Sequence, residues 1–240
     1  MIWVIPMSGK GTRTRSLGEF KPFIEIKGFP IISWFISSVK HNIKSEDELI
    51  FLTTDYYFNK YNFENRIKEI IAYHNLSNKL YFIRNSDSPA GVSSTVYTAK
   101  SLLLTPKSVI VIYPDQYIDF QMPALETNSA YLGINIQLSD RYGFVEIKDG
   151  LITRFIEKKN ISNIASTGFY IAPSGKDLIR ALEQQFAEHN VHNGEYYLGP
   201  AFNYLLQKGI KLYPVKVFAK YDLGNPDLIS YFSSKNFLCL

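Results

Sequence analysis

Short hydrophobic runs alternate with amphipathic segments along the first half of the chain. Residues 108–113 (SVIVIY) form a near-continuous apolar run, as in a strand buried on both faces, whereas residues 31–41 carry apolar side chains at a helical spacing. The order of strand, helix, strand, helix and strand predicts a parallel sheet with helical crossovers and helices on both faces. The predicted strands are 3–6, 23–26, 49–53, 79–84 and 108–113, and the predicted helices are 31–41, 56–73 and 95–104.

The second half of the chain has the pattern of consecutive short strands, two of them joined by a hairpin turn at Asp149-Gly150. The whole pattern predicts an α/β fold with a mostly parallel central sheet. We expect one domain over residues 1–240, in which residues 131–208 form an antiparallel subregion on the substrate side. The predicted strands here are 131–138, 143–148, 151–157, 166–172 and 210–218, and the predicted helices are 176–188, 195–207 and 227–232, the last with Asn225 as its N-cap and Pro226 at its first position.

The composition indicates a globular chain with a sizeable core. Of the 240 residues, 46% are hydrophobic, and the net charge of +4 is spread without a run of like charges, so no nucleic-acid partner is expected. The single cysteine, Cys239, cannot form an internal disulfide, which agrees with a reducing compartment. The start of the chain lacks the pattern of a signal peptide, and no apolar run approaches the roughly 18 residues that span a bilayer. The sequence predicts a cytoplasmic protein without a membrane partner and leaves its oligomeric state open.

A glycine-rich, basic loop follows the first strand directly. Gly9 and Gly11 allow a tight backbone whose amide groups turn inward, and Arg13, Arg15 and Lys21 add cations to the same loop. An arginine fork fits pairs of phosphate oxygens, and a lysine supplies a compact charge. The spacing matches neither a P-loop nor a dinucleotide fingerprint. The loop is therefore either a phosphate cradle or a tight connection with solvated charges.

The central strand 108–113 ends at Pro114-Asp115-Gln116. In open parallel sheets, ligands bind beyond the carboxyl ends of the strands. Asp115 is therefore expected on the same sheet edge as the basic loop, although an aspartate also ends many strands without any further role.

Four stretches of the chain, taken in their order along the sequence, resemble motifs of the nucleotidyltransferases that activate sugar 1-phosphates and related phosphates. Individually they are unspecific, but their joint order covers essentially the whole chain, and the family has a nucleotide-binding fold of the glycosyltransferase-A type. The stretches are the GKGTR of residues 9–13 with Lys21-Pro22, the PAGVSSTVYTAKSLL that begins at Pro89, the Tyr113-Pro114-Asp115-Gln116 segment, and Tyr142-Gly143 with Glu157-Lys158 followed by Asp222-Leu223-Gly224-Asn225-Pro226.

The resemblance implies an enzyme that joins the NMP part of an NTP to a sugar 1-phosphate, with Mg²⁺ and release of pyrophosphate. Its product would be an activated sugar for surface polysaccharide synthesis. Catalysis of this kind positions the reactants and stabilises charge around the α-phosphorus. The implied partners are an NTP and a small phosphorylated acceptor.

The resemblance also assigns roles to individual residues. Asp115 and Asp222 would hold Mg²⁺, Arg13 would steady the triphosphate and the departing pyrophosphate, and Lys21 would neutralise charge at the reacting phosphates. Lys158 would grip the acceptor phosphate. The implied nucleotide-binding residues are Met7, Ser8, Gly9, Gly11, Thr12, Gly91 and Pro114, and the implied acceptor-binding residues are Gly143, Glu157, Lys158 and Glu195.

Some of these residues have simpler explanations. Asp222 could serve only the electrostatics of the helix that follows it, and Lys158 could be a charge at a hairpin end beside Lys159. His189 and His192 lack the further ligands that a zinc site needs. We expect a polar loop there.

Several positions depart from the family pattern. Met7-Ser8 stands where the family has a pair of small residues, the interval from Arg13 to Lys21 is short, and Lys159 replaces a common proline. The segment before Gly91 lacks the glutamine that some members use to recognise the base. The sequence therefore does not choose among CTP, UTP, GTP and dTTP.

Three other functions stay open at the level of sequence. One is a cytidylyltransferase for a non-sugar phosphate, such as a phosphorylated amino alcohol. Another is a glycosyltransferase that consumes a nucleotide sugar, although it would want an Asp-x-Asp pair where Asp115-Gln116-Tyr117 has one acid. The third is a relative that only binds its ligand.

Overall fold

The computed structural model describes residues 1–9, 11–86, 89–137, 139 and 141–235. Cys239 and the Lys10 of the glycine-rich motif lie outside the described residues. No helix in the described ranges is both long and apolar enough to cross a membrane.

The described residues form a sheet of ten strands, a small two-stranded sheet and eight α-helices. The strands are β1 (Ile2–Pro6), β2 (Glu25–Ile26), β3 (Phe29–Pro30), β4 (Glu48–Thr54), β5 (Lys79–Asn85), β6 (Val109–Ile112), β7 (Gln116–Phe120), β8 (Ser129–Ile136), β9 (Gly143–Lys148), β10 (Leu151–Glu157), β11 (Ile164–Ala172) and β12 (Lys211–Asp222). The helices are α1 (Ile31–Val39), α2 (Asp55–Lys60), α3 (Phe63–Tyr73), α4 (Val92–Tyr97), α5 (Lys100–Leu103), α6 (Gly175–Ala187), α7 (Leu198–Gln207) and α8 (Pro226–Ser233).

The large sheet is mixed rather than mostly parallel, which corrects the prediction from sequence. Its order is β5-β4-β1-β6-β11-β8-β12-β10-β9, with β7 paired to β12. The strands β5, β4, β1 and β6 are parallel, as their helical connections require. From β11 onward most neighbours are antiparallel, because hairpins such as the Asp149-Gly150 turn connect the strands. The exception is β12, which lies parallel to β8.

Helices cover both faces of the sheet, as predicted. Along β1, Ile2 and Val4 point into a core that contains residues of α4 to α7, whereas Trp3 and Ile5 point into a second core with residues of α1 and α3. All four side chains are at most 2% exposed. This alternation explains why β1 has a continuous apolar run.

Three predicted helices are divided or begin three or more residues from the predicted position. The segment 56–73 is divided into α2 and α3 at Asn62, which has a φ of 47°, a conformation that asparagine tolerates better than most residues. The segment 95–104 forms α4 and α5, and α4 begins directly after Gly91. The helix predicted to begin at 195 begins at Leu198.

Strand β12 is longer than predicted, and β7, its partner, was not predicted. Residues 211–216 of β12 pair with β8, and residues 217–222 pair with β7. The pairing with β7 is irregular between Val217 and Ala219, so Phe218 is an extra residue there, and it is 59% exposed. This extension brings Asp222 to the edge of the sheet where Asp115 lies.

Candidate active site

A cleft of about 650 Å³ opens at the carboxyl ends of β1 and β6. It is lined by the segments that follow both strands and by residues from elsewhere in the chain. The lining residues are Pro6, Met7, Ser8, Gly9, Gly11, Thr12, Arg13, Lys21, Pro22, Ile31, Pro89, Ala90, Gly91, Val92, Thr95, Tyr113, Pro114, Asp115, Gly194, Glu195, Tyr197 and Gly224.

The glycine-rich loop forms one wall of the cleft. Gly11 has a φ of 56°, the left-handed conformation that glycine adopts without strain, and it begins a short 3-10 turn over Thr12–Thr14. The buried Thr14 donates its hydroxyl to the Gly11 carbonyl oxygen at 3.1 Å, which closes the turn. Arg13 is exposed on this turn, and Lys21 begins a second 3-10 turn. The loop therefore presents both predicted cations to the cleft.

Asp115 lies in the segment after β6 and is ion-paired with Lys21 of this loop. The Lys21 Nζ donates to Asp115 Oδ2 at 2.7 Å. Burial raises the pKa of the Asp115 carboxyl, but Lys21 and the nearby Lys220 outweigh this effect and hold the pKa below its usual value. Asp115 is therefore ionised at neutral pH. Its backbone carbonyl accepts from the Leu223 N–H at 2.8 Å, so the end of β12 is tied to the end of β6.

Asp222 ends β12 beside this contact and has two polar partners. The Lys220 Nζ donates to Asp222 Oδ1 at 2.6 Å, and the Tyr142 hydroxyl donates to Oδ2. Lys220 is only 6% exposed and lies 4.7 Å from the centre of the Tyr142 ring. Sequence reasoning missed Lys220. The signal was present, because residues two apart on a strand share a face, and Lys220 precedes Asp222 by two.

The donor set fits the implied Mg²⁺. Carboxylate oxygens are the ligands that this hard ion takes together with substrate phosphates. Within the described ranges, no group of three or more His, Cys, Asp and Glu side chains could hold a metal ion. An ion bound by Asp115 and Asp222 would take its remaining oxygen ligands from substrate phosphates and water.

The wall opposite the glycine-rich loop is built where Gly91 meets the segment 194–197. The Tyr196 N–H donates to the Ala90 carbonyl oxygen at 2.8 Å, and the Ser93 N–H donates to the Tyr196 carbonyl oxygen at 3.0 Å. Gly91 has a φ of 97°, and a methyl group added there would lie 2.6 Å from the Tyr196 oxygen. Only glycine permits this approach. The predicted nucleotide loop and the segment that carries Glu195 therefore form one continuous wall.

Tyr197 stands between the cleft and two of the predicted acceptor residues. The Lys158 Nζ donates to the Tyr197 hydroxyl and lies 4.2 Å from the centre of its ring. Burial and Glu195 raise the pKa of the Tyr197 hydroxyl, and Arg13 opposes this shift across the cleft. Tyr197 was not predicted, and nothing in the sequence around it marks it as a site residue.

Glu157 lines a second cavity of about 310 Å³ on the far side of Tyr197, together with Arg154 and His192. Burial raises the pKa of Glu157 to about 7, with Lys158 lowering it and Glu195 raising it further. Glu157 thus changes charge near neutral pH. Gly143 is buried, and a methyl group there would lie 2.1 Å from the Phe155 ring, so packing alone requires this glycine.

Most of the predicted site residues lie together in the structure, and their roles stay predictions. Lys158 and Asp222 lie just outside the lining, each joined to a tyrosine, while Glu157 and Gly143 lie further back. The predicted residues that line the cleft are Met7, Ser8, Gly9, Gly11, Thr12, Arg13, Lys21, Gly91, Pro114, Asp115 and Glu195.

Comparison of the sequence with known families and with curated proteins gives no match. Solved structures do match. A nucleoside-diphosphate-sugar pyrophosphorylase from Vibrio cholerae RC9 superposes with a TM-score of 0.85 at 21% identity, covering 98% of this chain and 100% of that one. A UDP-glucose pyrophosphorylase complexed with UDP-glucose gives 0.71 at 17% identity, covering 98% and 99%. An inositol-1-phosphate CTP transferase from T. maritima gives 0.70 at 12% identity, covering 99% and 98%.

Proposed function

We propose that this chain, which has a nucleotidyltransferase fold, transfers the NMP part of an NTP to a sugar 1-phosphate and releases pyrophosphate. One observation carries the proposal: a single cleft is lined by the glycine-rich loop with Arg13 and Lys21 and by the ionised Asp115. A cleft with cations on a glycine-rich turn and a carboxylate beside them suits a triphosphate with its metal. The names of the similar structures, which include a UDP-glucose pyrophosphorylase, support the same reaction class.

In the proposed reaction, an oxygen of the acceptor phosphate bonds to the α-phosphorus while the bond from that phosphorus to the β-phosphate oxygen breaks. Pyrophosphate leaves with its own negative charge, so no proton transfer is needed. The loop around Gly9 and Gly11 binds the triphosphate with backbone amides, Arg13 steadies the departing pyrophosphate, and Lys21 neutralises charge near the α-phosphorus.

Asp115 and Asp222 would hold the metal ion. Bound Mg²⁺ would supply charge neutralisation and orientation of the phosphates. Lys21 and Lys220 pair with these carboxylates in the structure and would give them up to the bound cation.

The acceptor would bind on the side of Tyr197, where Lys158 would hold its phosphate and Glu195 its hydroxyl groups. In the cell, we propose a cytoplasmic enzyme that supplies an activated sugar for surface polysaccharide.

A second candidate is a cytidylyltransferase for a non-sugar phosphate that carries an amine. Glu157 and Glu195 both lie beside Tyr197, and two carboxylates with an aromatic ring suit an ammonium group. The inositol-1-phosphate CTP transferase among the similar structures acts, by its name, on a phosphate that is not a sugar 1-phosphate.

Pyrophosphate release tests the proposal. The protein is incubated with Mg²⁺, each of CTP, UTP, GTP and dTTP, and panels of sugar 1-phosphates and phosphorylated amino alcohols. We expect pyrophosphate to appear only when one NTP and one sugar 1-phosphate are both present. Release that requires an NTP together with an amino-alcohol phosphate, with none from the sugar 1-phosphates, would select the second candidate. No release with any pair, from protein that binds NTPs, would contradict both.

A further inference from the structure

The carboxylate of Glu19 is held by three donors from the helical segment 55–61. The Tyr56 hydroxyl donates to Glu19 Oε1 at 2.8 Å, the Tyr61 hydroxyl donates to Oε2 at 3.3 Å, and the Lys60 Nζ donates to Oε2 as an ion pair. The Lys60 Nζ also donates to the Tyr56 hydroxyl at 2.7 Å, so the donors are held among themselves. We name these four side chains the Glu19 clamp.

Beneath the clamp, the next residue is anchored in an aromatic cluster. Phe20 is 2% exposed and stacks on Tyr57 and Tyr61 with ring centres 4.5 and 5.4 Å away. The Tyr57 hydroxyl donates to the Glu19 carbonyl oxygen at 3.5 Å. The side chain and the main chain of Glu19 are therefore both held from the same side.

The main chain of Glu19 adjoins both parts of the glycine-rich loop that face the cleft. Lys21 follows Glu19 by two residues and pairs with Asp115. Gly11 packs against the same segment, since a methyl group there would approach the Glu19 carbonyl oxygen to 3.6 Å and Lys21 Cβ to 3.5 Å. A shift of Glu19 would therefore move Lys21 and the turn that carries Arg13 together.

We propose that Glu19 is a positioning residue that fixes the Gly11–Lys21 loop in its phosphate-binding geometry before the nucleotide arrives. The inference rests on the proposed function for the meaning of that geometry. Lys60 and the two tyrosines act through Glu19 and are not among the residues that line the cleft. Holding the loop in advance lowers the conformational entropy that triphosphate binding would otherwise cost.

The test is a comparison of KM and kcat in pyrophosphate release. Glu19→Gln and Lys60→Met should each raise KM for the NTP by about fivefold to tenfold while kcat stays within about twofold. In the double variant KM for the NTP should rise no further than in either single variant, because each substitution already removes the same Glu19–Lys60 interaction. Lys60→Arg keeps the charge and should retain the original KM. Glu64→Gln is the matched control, since Glu64 forms an exposed pair with Lys68 on α3 at 2.6 Å.

A second readout does not depend on activity. Hydrogen exchange of the amides of residues 12–18 should become faster in Glu19→Gln and stay unchanged in Glu64→Gln. Faster exchange in a protein that shows no pyrophosphate release would support the positioning role of Glu19 and contradict the proposed function. The positioning role would be contradicted, without affecting the proposed function, by either of two results in Glu19→Gln. One is an unchanged KM for the NTP with unchanged hydrogen exchange, and the other is a lower melting temperature with an unchanged KM.

Discussion

At the scale of single residues, each of the two aspartates pairs with a lysine, Asp115 with Lys21 and Asp222 with Lys220. Asp115→Asn and Asp222→Asn preserve the shape of the side chain but replace the carboxylate by an amide, which binds a cation less well, so each should lower the rate of pyrophosphate release by at least about 10²-fold. Initial rates over a range of Mg²⁺ concentrations provide the measurement.

The matched control is Asp119→Asn, an exposed aspartate on β7, which should keep the original rate. A near-normal rate in either Asp115→Asn or Asp222→Asn would remove that residue from the site.

Lys158 allows a prediction about the other substrate. Its ammonium group lies on Tyr197, on the side of the cleft assigned to the acceptor, so Lys158→Ala should raise KM for the acceptor by about tenfold and leave KM for the NTP unchanged. Steady-state kinetics with each substrate varied in turn separates the two. The neighbouring exposed Lys159→Ala should change neither value. If Lys158→Ala weakens only nucleotide binding, the assigned role is wrong.

At the scale of elements, the junction between the Gly91 loop and the segment 194–197 has no room for a side chain. Gly91→Ala combines a left-handed backbone with a methyl group 2.6 Å from the Tyr196 oxygen, so it should lower the free energy of unfolding by about 2–4 kcal/mol. Chemical denaturation measures this loss.

Gly150→Ala separates the two causes. Gly150 has a φ of 78° but open space around its Cα, so only the backbone strain applies, and the loss should be about 1–2 kcal/mol. Equal losses at the two positions would show that the contact with Tyr196 carries no weight.

Element by element, the sequence was informative where the pattern is local. The parallel strands β1, β4, β5 and β6 and the hairpin at Asp149-Gly150 followed from apolar runs and turn residues. The place of β11 between β6 and β8 did not follow, because pairing between strands far apart in the chain leaves no mark on their own sequences. For the same reason β7 was missed.

The candidate site likewise contains residues that could be predicted from the sequence and residues that could not. Arg13 and Lys21 lie on the loop after β1 and Asp115 lies just after β6, so their shared sheet edge could be inferred from strand ends. Tyr197 could not be inferred, because a hydrogen bond between it and Lys158 depends on how the segment 194–197 folds back over the cleft. The burial of Gly143 against Phe155 likewise depends on packing that no local pattern encodes.

At the scale of the whole molecule, a buried histidine links stability to pH. His74 at the end of α3 is 4% exposed and contacts the Ser33 hydroxyl of α1 through Nε2 at 2.9 Å. Burial, with Lys40 adding to it, lowers the pKa of His74 from 6.5 to about 4. The unfolded chain therefore binds the proton first as the pH falls.

Because the unfolded chain binds the proton first, the free energy of unfolding falls as the pH falls. The contribution of neutral His74 is fully present above pH 6.5 and is lost as the pH falls towards 4, a change of about 3 kcal/mol in the free energy of unfolding. His74→Gln should lack this part of the pH dependence. The difference between the two proteins, measured by urea unfolding from pH 4 to 7.5, should grow with pH and level off above 6.5. A constant difference would mean that the pKa of His74 is the same in the folded and the unfolded chain.

The extra residue in β12 sets which of its later side chains share a face. Because side chains alternate along a strand, one unpaired residue turns all later ones to the opposite face. Val217 and Asp222 are five positions apart, yet they pair with Phe120 and Gln116 of β7, which share a face. Tyr221 lies on the other face, where it packs against the Phe232 ring of α8. Removal of Phe218 would close the irregularity and leave the pairing of residues 219–222 unchanged, so Asp222 should keep its place and turnover should persist in a protein that still unfolds cooperatively.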